Sequence, residues 1–256
     1  MAKEYNLDLY QNAIDSLNEG MSFYTKSLSD ASKYKFCIII ISNFMELMLK
    51  HMVEKQNHLL IYEKPYEKNI KRTINYKQSI QILMNLGVCV RKELINDINT
   101  LYEIRNNIIH YKFEYNTAII RNIIIKVIDG LKKLYITVTK KDFVCDVSEH
   151  TRNVFKKIED DYSIELHLAQ EEAEEEALDE GLEIIDCGYC FESKTAVERI
   201  GNEIYCHYCK ETDFFEECSR CTEKFKISEM EYFGINDYGD ELYFCESCCN
   251  YAFGDD

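Results

Sequence analysis

Residues 36–53 read FCIIIISNFMELMLKHMV, and this stretch decides the fold of the N-terminal part of the chain. It is the most apolar stretch of the sequence, yet Asn43, Glu46, Lys50 and His51 interrupt it. A membrane-spanning helix needs about 20 predominantly apolar residues. The stretch therefore predicts a buried helix in the core of a helical domain rather than a membrane span.

Helical periodicity continues on both sides of this stretch. The chain has one Pro, nine Gly and no Trp in 256 residues, a composition that favours helices over a turn-rich sandwich. Apolar spacing and breakers predict helices at about 5–27, 31–57, 76–86, 91–113 and 116–137. Helices of this length with short connections predict a mainly α fold, an antiparallel bundle over residues 1–157.

Charge divides the chain into two parts of opposite sign. Residues 1–157 carry 24 Lys and Arg against 17 Asp and Glu, a net charge of +7, whereas residues 158–256 carry 6 against 29, a net charge of -23. A basic domain attracts polyanions and an acidic domain repels them. We therefore expect a polyanion, if one binds, to bind the helical domain.

Residues 158–186 contain 13 acidic side chains and no Lys or Arg. Ala and Glu favour helix, but dense like charge opposes compact packing. We predict an acidic, partly helical linker here. A regulatory role is the alternative, in which the segment mimics RNA and lies on the basic helices.

The first residues, MAKEYNLDLYQNAIDSL, lack the basic, apolar and small-residue order of a secretory signal. Together with the interrupted apolar stretch, they predict a cytoplasmic protein without a membrane partner. Cysteines stay reduced in that compartment, which disfavours a disulfide framework.

The C-terminal region, residues 187–256, is rich in cysteine. Two thiolates separated by two residues on a tight turn occupy two corners of a zinc tetrahedron, and two such turns complete a site. Few large aliphatic side chains are available here, so the region needs metal to fold. We predict two structural Zn²⁺ ions in a small zinc-stabilised α+β or ribbon domain, bound by four Cys-x-x-Cys pairs: Cys187/Cys190, Cys206/Cys209, Cys218/Cys221 and Cys245/Cys248.

A weak internal repeat, CGYC…GNEIYCHYC and CSRC…GDELYFCESC, favours sequential pairing, with the first two pairs on one ion and the last two on the other. A cross-braced pairing, first with third and second with fourth, is the alternative. His207 and Cys249 flank ligands and can be substitutes or bystanders.

Four thiolates leave no open coordination position, so both sites are expected to be structural rather than catalytic. Residues 187–256 carry 6 basic against 16 acidic side chains, which disfavours nucleic-acid binding. A protein partner is the expected ligand of this domain.

Residues 104–115, IRNNIIHYKFEY, place polar side chains inside an apolar run. On a helix, Asn106 and His110 fall on the polar face, whereas Arg105 falls within the apolar arc. Burying a guanidinium is costly unless an acid or a phosphate meets it. Glu46 is a candidate internal partner; the alternative is a dimer interface at which Arg105 meets a phosphate.

Arg105-Asn106-x-x-x-His110 resembles the Arg-x4-His signature of HEPN domains, including the Asn that often follows the Arg. The helix around residues 36–53 resembles the second helix of that family, where a Glu commonly precedes a Leu-rich stretch. The resemblance covers roughly residues 5–140 and implies a HEPN-like bundle. Some relatives carry a modified Tyr two positions after the His; here Tyr111 follows His110 directly and Lys112 takes that position, so this regulation is not expected.

The resemblance implies a metal-independent endoribonuclease that acts as a homodimer, in a toxin or phage-defence setting. RNA supplies its own nucleophile, the 2′-OH, so His110 would act as general base or acid and Arg105 would hold the scissile phosphate. Asn106 would fix the imidazole or contact the phosphate, and Glu46 would complete the site. Because residues five apart lie about 140° apart on a helix, two copies are expected to form one cleft.

Two other functions are consistent with the same residues. In the first, the bundle is a non-catalytic adaptor that dimerises while the zinc domain binds a protein. In the second, the chain is a DNA-binding zinc protein, although the net charge of -10 on residues 187–256 opposes it.

Overall fold

The structure, a computed structural model, describes residues 8–64, 66, 72–110, 116–236 and 238–253. Between residues 8 and 180 the α-helices are α1 Leu9–Ser27, α2 Tyr34–Gln56, α3 Tyr76–Asn85, α4 Lys92–His110, α5 Thr117–Thr139 and α6 Glu149–Glu180. The first five lie where the periodicity predicts helices. The predicted end of α4 near 113, with Tyr111 and Lys112, lies outside the described residues.

α2 forms the core of the bundle and packs against α1, α3 and α4. Its fully buried side chains include Cys37, Ile38, Ile41, Phe44, Met45, Met48, Leu49 and Met52. Among the described residues, Ala31–Gln56 is the one segment long and apolar enough to cross a bilayer, but 67% of its most apolar window is buried inside the protein. This burial is what a core helix requires.

Polar caps set where several helices begin. Asp8 accepts a hydrogen bond from the backbone N–H of Gln11 and caps α1 at Leu9; the predicted start near residue 5 lies outside the described residues. Asn75 and Gln78 form a reciprocal capping box at the start of α3. Asn116 accepts from the backbone N–H of Ala118 at 2.9 Å and begins α5.

The chain divides into two compact units. We call them the helical unit, Met1–Tyr115 with Ile120–Asp160, and the cysteine unit, Asn116–Ile119 with Asp161–Asp256. The division after Asp160 lies close to the boundary at 157 that the sequence suggests.

The acidic segment predicted as a partly helical linker is helical through Glu180 as part of α6. Ala169, Ala173 and Ala177 are buried in the cysteine unit. Alanines four residues apart share one face of a helix, so this face packs while the acidic face stays solvated. The segment from Asp161 onward is thus part of the core of the cysteine unit.

Short antiparallel strands complete the cysteine unit. Five of them form one sheet in chain order: β1 Glu183–Ile185, β2 Ala196–Glu198, β3 Glu203–Cys206, β4 Thr212–Glu217 and β5 Lys224–Lys226. β6 Met230–Ile235 and β7 Glu241–Cys245 form a separate hairpin, followed by helix α7 Glu246–Phe253. The predicted mainly α fold with a small cysteine-rich strand domain is confirmed at this level.

Candidate metal centres and candidate nucleic-acid site

The eight paired cysteines converge into two groups of four. In each group every sulfur lies within 4.8 Å of the others: Cys187, Cys190, Cys206 and Cys209 in the first group, and Cys218, Cys221, Cys245 and Cys248 in the second. The grouping is the sequential one rather than the cross-braced alternative. Four thiols at this separation fit the ligand set of a tetrahedral metal ion.

Three of the four Cys-x-x-Cys turns share one backbone conformation. The N–H of the first cysteine donates to the carbonyl five residues later, and its own carbonyl accepts from the N–H four residues later. The residue in that fourth position has a positive φ in each turn: 57° at Phe191, 62° at Lys210 and 60° at Thr222. This repeated geometry aims both sulfurs of a turn to one side.

The fourth turn is built differently. Cys245 ends β7 and Cys248 lies in the first turn of α7. The N–H of Cys245 donates to the sulfur of Cys218 at 3.4 Å, which joins the two halves of the second group. All four cysteines of the first group are buried, whereas Cys221 is exposed and Cys248 is half-buried.

Hydrogen bonds from backbone N–H groups and from neighbouring thiols lower the pKa of some of the cysteines. Burial opposes ionisation of Cys218, but N–H groups of Cys221, Cys245 and Arg220 lower its pKa to about 6. The hydrogen bond with Cys190 lowers the pKa of Cys187, and the same interaction raises that of Cys190. Ionisation of one thiol therefore opposes ionisation of its neighbour, and a bound metal ion would supply the compensating charge.

The first group lies in a small core. Ala169 and the cysteines are buried together, and Tyr162, Leu166 and Ile119 pack against them. Asn116, whose Oδ1 caps α5, also donates from Nδ2 to the carbonyl of Cys209 at 2.6 Å.

Neither flanking residue belongs to a group. The Nε2 of His207 lies 2.7 Å from Glu176 and its Nδ1 lies 3.3 Å from Glu172, both on α6. The thiol of Cys249 donates to the carbonyl of Phe244. Both residues are therefore bystanders rather than ligands in this arrangement.

The acidic face of α6 is partly neutralised within the cysteine unit. Arg199 donates to both carboxylate oxygens of Glu176 at 2.6 and 3.0 Å, and Lys210 pairs with Glu172 at 3.1 Å. The guanidinium of Arg199 holds the pKa of Glu176 below its usual value. These ion pairs lie within the cysteine unit.

Arg105 is half-buried on α4. Its Nη1 donates to the side-chain oxygen of Asn106 at 2.9 Å, and its guanidinium carbon lies 5.4 Å from the centroid of the Tyr102 ring. Glu46, the candidate partner, is instead bound by Lys50 at 2.7 Å. Among the described residues, the contacts of the Arg105 guanidinium are thus an amide and an aromatic face.

Arg105 and Glu46 nevertheless line the same open cleft of about 500 Å³ in the helical unit. The remaining lining residues come from three helices: Asp15, Ser16, Glu19, Ile39, Ile40, Ser42, Asn43 and Tyr102. The sequence alone did not indicate that these residues line a site. Tyr102, one turn before Arg105, is the one that a helical projection of α4 shows beside it.

His110 is the last residue of α4 and is exposed. Neither His110 nor Asn106 lines the cleft with Arg105. Of the four predicted site residues, the structure brings Arg105 and Glu46 to one cleft, places Asn106 against Arg105 and leaves His110 at the end of the helix.

The chain matches no protein-family model, no curated protein and no solved structure.

Proposed function

We propose that this chain is a metal-independent endoribonuclease of the HEPN type, with an active site built from two copies. The observation that carries the proposal is the presence of two suitable side chains on α4. Arg105 is half-buried beside an open cleft, and His110 is exposed at the end of the same helix. The toxin or phage-defence setting comes from the family resemblance alone.

The two side chains suit the chemistry of RNA cleavage. The 2′-oxygen attacks the adjacent phosphorus, the bond to the 5′-oxygen breaks, and the products carry a 2′,3′-cyclic phosphate and a 5′-hydroxyl. An exposed imidazole can take the proton from the 2′-OH or give one to the leaving oxygen. A guanidinium is suited to stabilise the negative charge that develops on the phosphoryl oxygens.

The spacing of the two side chains favours a site built from two copies. Arg105 and His110 lie five residues apart, about 140° around a helix, and His110 does not line the cleft with Arg105. A second copy packed about a two-fold axis would bring another His110 and another Arg105 to the same groove. The net charge of +7 on residues 1–157 favours approach of RNA to this domain.

We further propose that each four-cysteine group binds one structural Zn²⁺. Reduced cysteines in sets of four at this spacing favour zinc, and four thiolates leave no position for a catalytic water. The zinc ions would fold the cysteine unit, whose acidic surface suits a protein partner rather than RNA.

Cleavage of a labelled single-stranded RNA in magnesium-free buffer with EDTA tests the proposal, provided that the zinc content of the protein is unchanged. Arg105→Ala and His110→Ala should each abolish cleavage. Arg91→Ala and His58→Ala, which change exposed residues of the same unit, are the matched controls and should retain it. Equal cleavage by all five proteins would contradict this active site.

A non-catalytic adaptor is the second candidate function. Exposed aromatic side chains on the β6–β7 hairpin favour it, because such residues mark protein-binding surfaces. Absence of any cleavage by the unmodified protein, with partner binding unchanged in His110→Ala, would favour the adaptor over the ribonuclease.

A further inference from the structure

The β6–β7 hairpin exposes an unusual number of large apolar side chains. We define the hairpin patch as Tyr232, Phe233, Ile235 and Tyr238, which are 53%, 42%, 61% and 92% exposed. A hairpin of two strands cannot bury both of its faces by itself. Exposed large apolar side chains grouped on a small module are typical of a binding site.

Ring contacts organise this patch. Tyr232 pairs with Tyr243 across the hairpin, with ring centroids 5.4 Å apart, and Phe233 packs edge-on against Phe244 at 4.9 Å. Phe233 lies at the bulge between Tyr232 and Gly234. The rings are therefore held in place by neighbours while they remain accessible.

The stretch of sequence that contains the patch is acidic, although Lys226 pairs with Glu229 at its start. Residues 227–256 contain eight Asp and Glu, seven aromatic residues and no Lys, Arg or His. Glu231 and Glu241, one on each strand of the hairpin, are exposed. An aromatic surface on a strongly acidic segment attracts ammonium and guanidinium groups, through ion pairs and through the faces of the rings.

The hairpin also offers backbone groups. Among the described residues, β6 forms a ladder with β7 alone, so its outer edge is open to another strand. An extended peptide can bind such an edge through main-chain hydrogen bonds, while its alternate side chains contact the face.

We propose that the hairpin patch binds an extended segment of another protein that alternates Lys or Arg with aliphatic residues. The cationic groups lie against the rings and carboxylates, and the aliphatic side chains cover Ile235 and the apolar parts of Tyr232 and Phe233. This inference is independent of the ribonuclease proposal and names the chemistry of the partner that the acidic cysteine unit takes.

Fluorescence anisotropy of the full-length, zinc-loaded protein tests this inference. The probe is a short labelled peptide of alternating Lys and Val, and a peptide of alternating Glu and Val is the charge control. The Lys peptide should bind at physiological ionic strength and the Glu peptide should not. Equal binding of both peptides, or binding of neither, would overturn the proposal.

Variants locate the site. Tyr232→Ser combined with Ile235→Ser should weaken binding of the Lys peptide roughly tenfold, since two contacts of this kind are lost. Ile200→Ser is the matched control, because Ile200 is 94% exposed elsewhere in the same unit, and it should bind as the unmodified protein does. Unchanged binding by the double variant would show that the peptide binds elsewhere.

Folding controls, a charge variant and sedimentation complete the test. Zinc content and the circular dichroism spectrum of the double variant should match those of the unmodified protein, so that a loss of binding reports the surface rather than the fold. Glu231→Gln should weaken binding less than the double variant and more at low salt than at high salt. Sedimentation compares the unmodified protein with the double variant. A dimer that becomes a monomer in the double variant would show that a second copy of the chain covers the patch, and it would overturn the proposal.

Discussion

The side-chain amide of Asn116 joins α5 to the first cysteine group: its Nδ2 donates to the carbonyl of Cys209 at 2.6 Å while its Oδ1 accepts from the N–H of Ala118 at 2.9 Å. One residue therefore caps a helix and contacts the backbone of the Cys206–Cys209 turn. Asn suits this position because its amide is a donor and an acceptor at once.

Two substitutions separate these roles. Asn116→Asp keeps an acceptor for the helix cap but cannot donate to Cys209, and its charge would face Glu211. It should release zinc from the first group faster than the unmodified protein, whereas Asn116→Ala should in addition lose about 1 kcal/mol of stability through the missing cap. Zinc release is followed with a colorimetric chelator and stability by thermal unfolding.

Asn75→Ala is the matched control for this experiment. It removes the cap of α3 in the helical unit and should lower the unfolding temperature without changing zinc release. Zinc release from Asn116→Asp at the unmodified rate would contradict the role assigned to the Cys209 contact.

The two metal groups should differ in lability. Cys221 is exposed and Cys248 half-buried, whereas every cysteine of the first group is buried. A chelator should therefore remove one equivalent of zinc quickly and the second slowly. Cys221→Ser should abolish the fast phase and Cys190→Ser the slow one; a single phase in the unmodified protein would contradict this order.

Complete removal of metal should leave most of the helical circular dichroism signal intact. The core around α2 contains no ligand of either group, so its stability does not depend on metal. The tyrosine signals of the cysteine unit should instead become those of an unfolded chain.

Mixing inactive variants tests the composite active site. Arg105→Ala lacks one proposed catalytic group and His110→Ala lacks the other, so each homodimer should be inactive. If one site takes Arg105 from one copy and His110 from its partner, a heterodimer of the two variants contains one intact site. The mixture should then recover part of the cleavage activity; no recovery, in a mixture shown to exchange subunits, would exclude a shared site.

Glu176 makes the cysteine unit sensitive to acid. Its pKa is lower in the folded protein than its ordinary value of 4.5, chiefly because Arg199 donates to it. The resulting stabilisation is fully present above that ordinary value and is lost as the pH falls through the lower, folded value. Glu176→Gln should therefore cost about 1 kcal/mol at neutral pH and nothing in strong acid.

The measurement compares the unfolding temperatures of the two proteins across this pH range. Acid also protonates metal-binding thiolates, but that loss is common to both proteins and cancels in the difference. Glu174→Gln, which removes an exposed carboxylate from the same helix, should show no such dependence.

Local sequence predicted α1 to α5 well because apolar periodicity and breakers act over a few residues. Asp8 and Asn75 then explain the exact helix starts through their caps. The packing of the acidic segment does not follow from its charge. Its 13 carboxylates suggested a solvated linker, although alanines at 169, 173 and 177 already marked a packing face.

The candidate sites divide in the same way. The eight cysteines could be assigned from spacing alone, because the chemistry of a Cys-x-x-Cys turn is local. The cleft could not, since Asp15 and Glu19 on α1 meet Arg105 on α4 only through the packing of the bundle. Pairing of Glu46 with Lys50 follows from their spacing of four residues, which competes with the longer-range partner Arg105.

The positive φ angles of three residues affect the order in which the cysteine unit assembles. These residues are Phe191, Lys210 and Thr222. A left-handed conformation costs a side-chain-bearing residue about 1–2 kcal/mol relative to the right-handed one. Without an ion, nothing offsets this cost in the three turns. We therefore expect the turns to form around the metal before the strands pair in register. A glycine at each position would remove this dependence and let the strands pair first.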